Sequence, residues 1–329
     1  MFCSKNILSL TITILLFCGC GSKNNSPEEF LPSLYDCSST AELPDRISPV
    51  PLNCVIDPEC QGEKMVVAHR GAGGEFGTIA PEDSLSAIRA ALYLGVDGIE
   101  LDARHTADGK LIVMHDGNMK RTTGVDANVS DLTFAEVTST QLLAPSERYA
   151  GDFSCDRVPS LEEALLLAKD KLFVDLDTKT DRIDLVVDAI VNAGMIDQVF
   201  VSVSDVNKAI EARNLNPAIR IQVRPDTVDD ASKYLSYFSR PPEIFEIPWS
   251  IGIDVRNIVK NNSKLFSDVF TEDIQTAGKG LSGDRDASHY QQVIDRNIEI
   301  LQTEFPAVLL EYLGRWNYST DPWEMLPKM

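Results

Sequence analysis

The sequence predicts an α/β protein built as one (β/α)8 barrel. Three observations predict it: short apolar runs of strand length, amphipathic helical stretches between several of them, and enough chain for about eight such units in roughly 260 residues. The runs are Met65–Ala68, Val96–Leu101, Leu111–Met114, Leu172–Leu176, Val199–Val203, Ile219–Val223, Ile244–Ile247 and Ile298–Leu301, with a ninth at Val269–Phe270. Nine candidates for eight places mean that one is an extra strand or a misreading. A doubly wound open sheet is the structural alternative. Between the runs, Ser84–Leu94 places Leu85, Ile88, Ala91 and Leu92 on one helical face. Ser160 caps a second helix, with Glu163 three residues on completing a capping box. Asp184–Ala193 and Val206–Asn214 follow the same pattern.

Ahead of the barrel, Lys5 precedes a short apolar run from Ile7 to Cys18. That run falls short of the ~20 residues a spanning helix needs and reads as a secretory signal. It ends in Phe17-Cys18-Gly19-Cys20, which resembles a bacterial lipobox, so residues 1–19 are expected to be a signal peptide and Cys20 the lipidated first residue. The expected setting is an exported, bacterial membrane-anchored lipoprotein on the periplasmic or surface face. Residues 20–62 are rich in Ser, Pro and Asn and read as a tether with a cysteine-braced end; the barrel domain is placed at 63–329. Export favours disulfides. Cys37, Cys54, Cys60 and Cys155 allow three connectivities, and the close spacing of Cys54 and Cys60 makes a local bridge plausible.

The formal net charge is −20, and losing Lys5 with the signal takes it to −21. So acidic a surface repels nucleic acid and anionic lipid. A substrate phosphate would need a local cation and one or two basic side chains. The polar residues at the ends of the runs supply candidates, where a parallel barrel keeps its reactive groups. Met65-Val-Val-Ala-His69 and Leu111-Ile-Val-Met-His115 each close on a histidine, followed by Arg70-Gly71 and by Asp116. Between them, Glu100 and Asp102 share one strand face. Two carboxylates turned into a closed site repel one another, and a hard divalent cation, Ca2+ or Mg2+, relieves that. Alone, such a pair would be an exposed strand end; two strand-end histidines weigh against that. Leu172–Lys179 carries Asp175, Asp177 and Lys179 with equal parity, offering a third carboxylate and a phosphate clamp.

In order, His69-Arg70-Gly71, Pro81-Glu82-Asp83-Ser84, Glu100-Leu101-Asp102, Thr106-Ala107-Asp108-Gly109 and His115-Asp116 resemble the glycerophosphodiester phosphodiesterase family. Arg121-Thr122-Thr123-Gly124, Asp131-Leu132-Thr133 and Val158-Pro159-Ser160-Leu161 continue the match, and Thr303-Glu304-Phe305-Pro306 resembles the closing Thr-Asp-x-Pro. The resemblance implies a TIM barrel with a small insertion after the third strand, about residues 117–157. It implies hydrolysis of glycerophosphodiesters to glycerol 3-phosphate and an alcohol, with His69 and His115 as the acid–base pair. Glu100 and Asp102 would bind the metal with Asp177, aligned with the family's Glu-x-Lys strand, while Arg70 and Lys179 would hold phosphate. Three departures stand out: Asp83 replaces an asparagine, Asp177 a longer glutamate, and Glu304 an aspartate. Rival readings are a sphingomyelinase D-like phospholipase on the same barrel and a surface binding protein that keeps the cleft without turnover.

Overall fold

In the computed structural model, which describes residues 28–60, 62–75, 79–144 and 151–326, eight parallel strands close into a barrel. They are β1 (Met65–Ala68), β2 (Gly98–His105), β4 (Phe173–Thr178), β5 (Val199–Val203), β6 (Arg220–Val223), β7 (Ile244–Glu246), β8 (Lys264–Asp268) and β9 (Ile300–Thr303). Pairing of β1 with both β2 and β9 closes the ring. The remaining strand, β3 (Leu111–Val113), pairs antiparallel with the end of β2, Ala103 opposite Val113 and His105 opposite Leu111.

Two strand assignments are thereby corrected. Leu111–Met114 is the extra strand, because five residues can make a hairpin but not the crossover a parallel neighbour requires. The hairpin turns at Gly109, whose φ of +72° suits glycine. The insertion therefore follows an antiparallel strand standing off the barrel, and His115 lies just past that strand rather than at the end of a barrel strand. His105 closes β2 and pairs with Thr180 Oγ1 at 2.6 Å. Val269–Phe270 is no strand: Phe270 opens the helix Phe270–Ser282, and the true strand is Lys264–Asp268 just before it.

The helices form as their sequences require. Ser84 accepts from the Ala87 N–H to cap Leu85–Leu94, and Ser160 and Glu163 complete the capping box of Leu161–Ala168. Their apolar faces pack on the outer strand residues, Val66, Ile99, Leu101, Val174, Leu176, Val201 and Ile221 among them. Alternation sends Met65, Val67, Phe173, Phe200, Ile244, Phe266 and Ile300 to the barrel interior, where they form a separate apolar cluster with Val50, Cys54 and Val55. The segment expected as a tether is thus packed against the barrel over residues 28–60, and its cysteine-braced end seals the barrel floor. Arg46, Ser48 and Arg315 all bind the buried Asp97 carboxylate there. Cys54 pairs with Cys60, as its spacing favoured, and Cys37 with Cys155. The insertion has its own small core of Ile112, Met114, Met119, Val129, Val137, Leu142 and Val158. The expected signal peptide and lipidated Cys20 lie outside the described residues. Among the described residues no helix is long and apolar enough to cross a membrane.

Candidate active site

With the lower interior filled by apolar side chains, the upper half carries the polar ones. In the β2–β4 register Glu100 lies beside Asp175 and Asp102 beside Asp177, so the four acids stack in two layers. Carboxylate oxygens of Glu100, Asp102 and Asp177 lie within 4.8 Å of one another, all three buried. Among the described residues neither oxygen of Asp102 accepts a hydrogen bond, although Lys179 Nζ stands 3.4 Å from one and Arg70 Nε 3.9 Å from the other. Burial and then the Asp102 carboxylate push Glu100 well above the usual carboxylate range. Three hard carboxylates crowded together in this way, Asp102 among them without a hydrogen bond, fit a divalent cation.

The fourth acid behaves differently. Asp175 takes a hydrogen bond from Gln222 Nε2 at 3.0 Å, and burial together with Glu246 raises its pKa. Burial also opposes ionisation of Asp177, but Arg224 Nη1 at 3.1 Å and Lys179 Nζ at 2.6 Å outweigh it and hold this carboxyl below its ordinary value. Asp177 therefore meets Glu100 and Asp102 in the cage, and Asp175, level with Glu100, stays outside it.

His69 follows β1 directly, with Nε2 3.7 Å from Glu100 Oε2 and Nδ1 bonded to Glu304 Oε1. Its ring packs at 4.7 Å on Phe270. Glu304, in the place of the family's aspartate, is itself fixed by its N–H donating to Asp273 Oδ2 at 2.7 Å. His115 is about one-third exposed, with Nδ1 2.8 Å from Asp116 Oδ1. The Met114 N–H donates to the Asp102 carbonyl, and Arg104 Nε to that of His115, which ties the backbone here to the end of β2. In both rings a carboxylate partner on Nδ1 leaves Nε2 for proton transfer.

Arg70 and Asp83 both hold positive φ, +50° and +55°, on either side of the site. Such backbone persists where its surroundings fix it; here the Asp83 N–H donates to the Arg70 carbonyl and the Gly71 N–H to that of Glu100. Arg70 Nη1 is held by Glu82 at 2.9 Å, while its buried Nε has no hydrogen-bond partner among the described residues. Burial, then Asp102 and Glu82, push the Asp83 carboxyl well above its usual range, so the residue replacing an amide tends to stay neutral as an amide would. Arg224, Glu246, Glu82 and Arg121 were not singled out from sequence as parts of this network. Arg224 and Glu246 stand at or just past strand ends, a positional signal, but nothing local marked them as chemical.

The (β/α)8 barrel thus carries two carboxylate-backed imidazoles and a buried three-carboxylate cage, a set able to bind a cation and move protons. Residues 69–208 match the profile described as the Glycerophosphoryl diester phosphodiesterase family. The protein YqiK of Bacillus subtilis is 30% identical over 179 residues, 52% of this chain and 71% of its own length. A glycerophosphodiester phosphodiesterase of Caldanaerobacter subterraneus is 37% identical over 117 residues, 35% of this chain and 45% of that enzyme. Among solved structures, a glycerophosphoryl diester phosphodiesterase from Parabacteroides distasonis superposes with a TM-score of 0.63 at 20% identity, covering 84% of this chain and 96% of that one. An Oleispira antarctica phosphodiesterase, solved with its product sn-glycerol-3-phosphate, gives 0.63 at 18% identity over 77% and 97%. This chain belongs to the glycerophosphoryl diester phosphodiesterase family.

Proposed function

We propose that this chain hydrolyses glycerophosphodiesters to glycerol 3-phosphate and an alcohol, with a divalent cation, Ca2+ or Mg2+, held by Glu100, Asp102 and Asp177. The observation that carries the reading is the meeting of that carboxylate cage with His69, His115, Arg70 and Lys179 at the carboxyl ends of the strands. The product-bound Oleispira structure on the same fold supports the substrate class.

When bound, the cation supplies charge neutralisation of the phosphodiester oxygens. Arg70 Nε and Lys179 Nζ add donors beside the cage. One imidazole takes a proton through Nε2 from the attacking water or hydroxyl as the new P–O bond forms. The other gives its Nε2 proton to the alcohol oxygen as the old P–O bond breaks. Glu304 and Asp116 hold the two rings in the tautomer each role needs.

The same reading keeps the chain exported and tied to a bacterial membrane by lipid on Cys20. The lipobox-like end of the apolar run and two disulfides, which belong to oxidising compartments, support it. The test of function is a metal-by-substrate screen on the fragment starting after Cys20. Glycerol 3-phosphate released from glycerophosphocholine, only with Ca2+ or Mg2+ present, is the expected result. Choline released from sphingomyelin or a lysolipid would favour the sphingomyelinase D-like alternative, and binding without turnover across the panel a silent cleft.

A further inference from the structure

From His115 a run of charge-assisted hydrogen bonds leads away from the carboxylate cage and back to Arg70. His115 Nδ1 meets Asp116 Oδ1 at 2.8 Å, and Asp116 Oδ2 accepts from Arg121 Nε at 2.7 Å. Arg121 forks its Nη1 and Nη2 onto Glu82 Oε2 and Oε1 at 2.5 and 2.7 Å. Glu82 Oε1 also accepts from Arg70 Nη1 at 2.9 Å. The four residues sit on different pieces of chain. Asp116 follows β3, Arg121 lies in the short helix Lys120–Thr123 of the insertion, Glu82 precedes the helix Leu85–Leu94, and Arg70 follows β1.

Glu82 is buried, whereas the Arg121 side chain is 43% exposed. The fork onto buried Glu82 is the bidentate, networked geometry in which an ion pair does stabilise a fold, but it leaves the third donor, Nε on Asp116, without a reason in stability. His115 is the reason the geometry offers. It stands just past an antiparallel strand off the barrel, about one-third exposed, and its carboxylate partner is the very next residue. Such a pair turns together unless a third group fixes the carboxylate. Arg121 does so, and Glu82, already locked by Arg70, anchors Arg121.

We propose that Arg121 is a positioning residue: anchored on Glu82, it holds Asp116 so that His115 keeps one tautomer and one ring orientation. This deepens the phosphodiesterase reading and rests on it. Lysine, with a single ammonium in place of the fork, cannot span both carboxylates.

The experiment is a double-mutant cycle on the full chain with glycerophosphocholine, its folding followed by thermal unfolding. Arg121→Met is expected to lower kcat by about 10–100-fold, the scale seen when a partner behind a functional histidine is lost. KM should stay within about twofold and the variant should remain folded at the assay temperature although its unfolding shifts down, with Arg121→Lys restoring only part of the rate. In an Asp116→Asn background the same Arg121→Met change should cost less than about threefold, because the two residues act in series. A full, additive loss in that background would overturn the proposal, as would a raised KM with unchanged kcat, the mark of direct substrate contact. His115→Ala serves as the reference: normal activity in that variant would sink the phosphodiesterase assignment itself, a failure distinct from that of Arg121.

Discussion

Asp177 and Asp175 differ by two positions on one strand, share one parity, and play different parts. The parallel register sets Asp177 level with Asp102 and Asp175 one layer deeper, level with Glu100. Two cations, Lys179 and Arg224, keep the shorter Asp177 ionised in its buried place, whereas Gln222 satisfies an Asp175 that burial and Glu246 make hard to ionise. Parity in the sequence offered both acids, with Asp177 favoured through the Glu-x-Lys alignment; only depth in the barrel separates them, and depth depends on pairing. Asp177→Asn is accordingly expected to weaken Ca2+ or Mg2+ binding by about tenfold or more, and Asp175→Asn by less than about threefold. Calorimetric titration with each metal measures this, and the reverse order of effects would contradict the assignment. His69, Arg70, Glu100 and Asp102 were legible because they close or line apolar runs; Arg224 and Glu246 were not, since their meaning comes from Asp177, about 50 and 70 residues away in sequence.

At the scale of elements, loop length was the sequence signal that decided the extra strand. Residues 106–110 leave room for a hairpin alone, and His115 follows that hairpin, bound to the end of β2, rather than closing a barrel strand. The missed strand, Lys264–Asp268, has only Leu265 and Phe266 as apolar residues between polar ends, while the adjacent Val269–Phe270 mimics a strand but leads into a helix with Glu272 and Asp273 in its first turn. The floor was illegible for another reason: Val50, Cys54 and Val55 lie in a short apolar stretch broken by Pro51 and Asn53, without helical or strand periodicity, and gain their role only against the barrel interior. The two bridges that fix this N-terminal segment close loops of very different size, with sequence separations of 118 and 6. On chain entropy the first contributes about 5 kcal/mol and the second about 2. Thermal unfolding of Cys37→Ser/Cys155→Ser and Cys54→Ser/Cys60→Ser should therefore show the larger loss for the first pair. A larger loss for the second would mean that the floor's local geometry, not loop closure, dominates.

Over the whole molecule, a net charge of −20 surrounds a site built to receive a phosphate anion. The barrel reconciles the two by layers. Apolar side chains close its lower half, and above them acids gather at the strand ends with a few basic groups, Arg70, Lys179 and Arg224, set among them. The barrel itself was legible from spacing and alternation, and the family from ordered motifs concentrated in its first half. The central claim is that His69 and His115, each backed by a carboxylate, carry the proton transfers of phosphodiester hydrolysis. The most direct test is turnover of glycerophosphocholine by His69→Ala and His115→Ala, each shown to remain folded. Both variants are expected to lose activity by about 10²-fold or more; near-normal turnover in either would contradict the account.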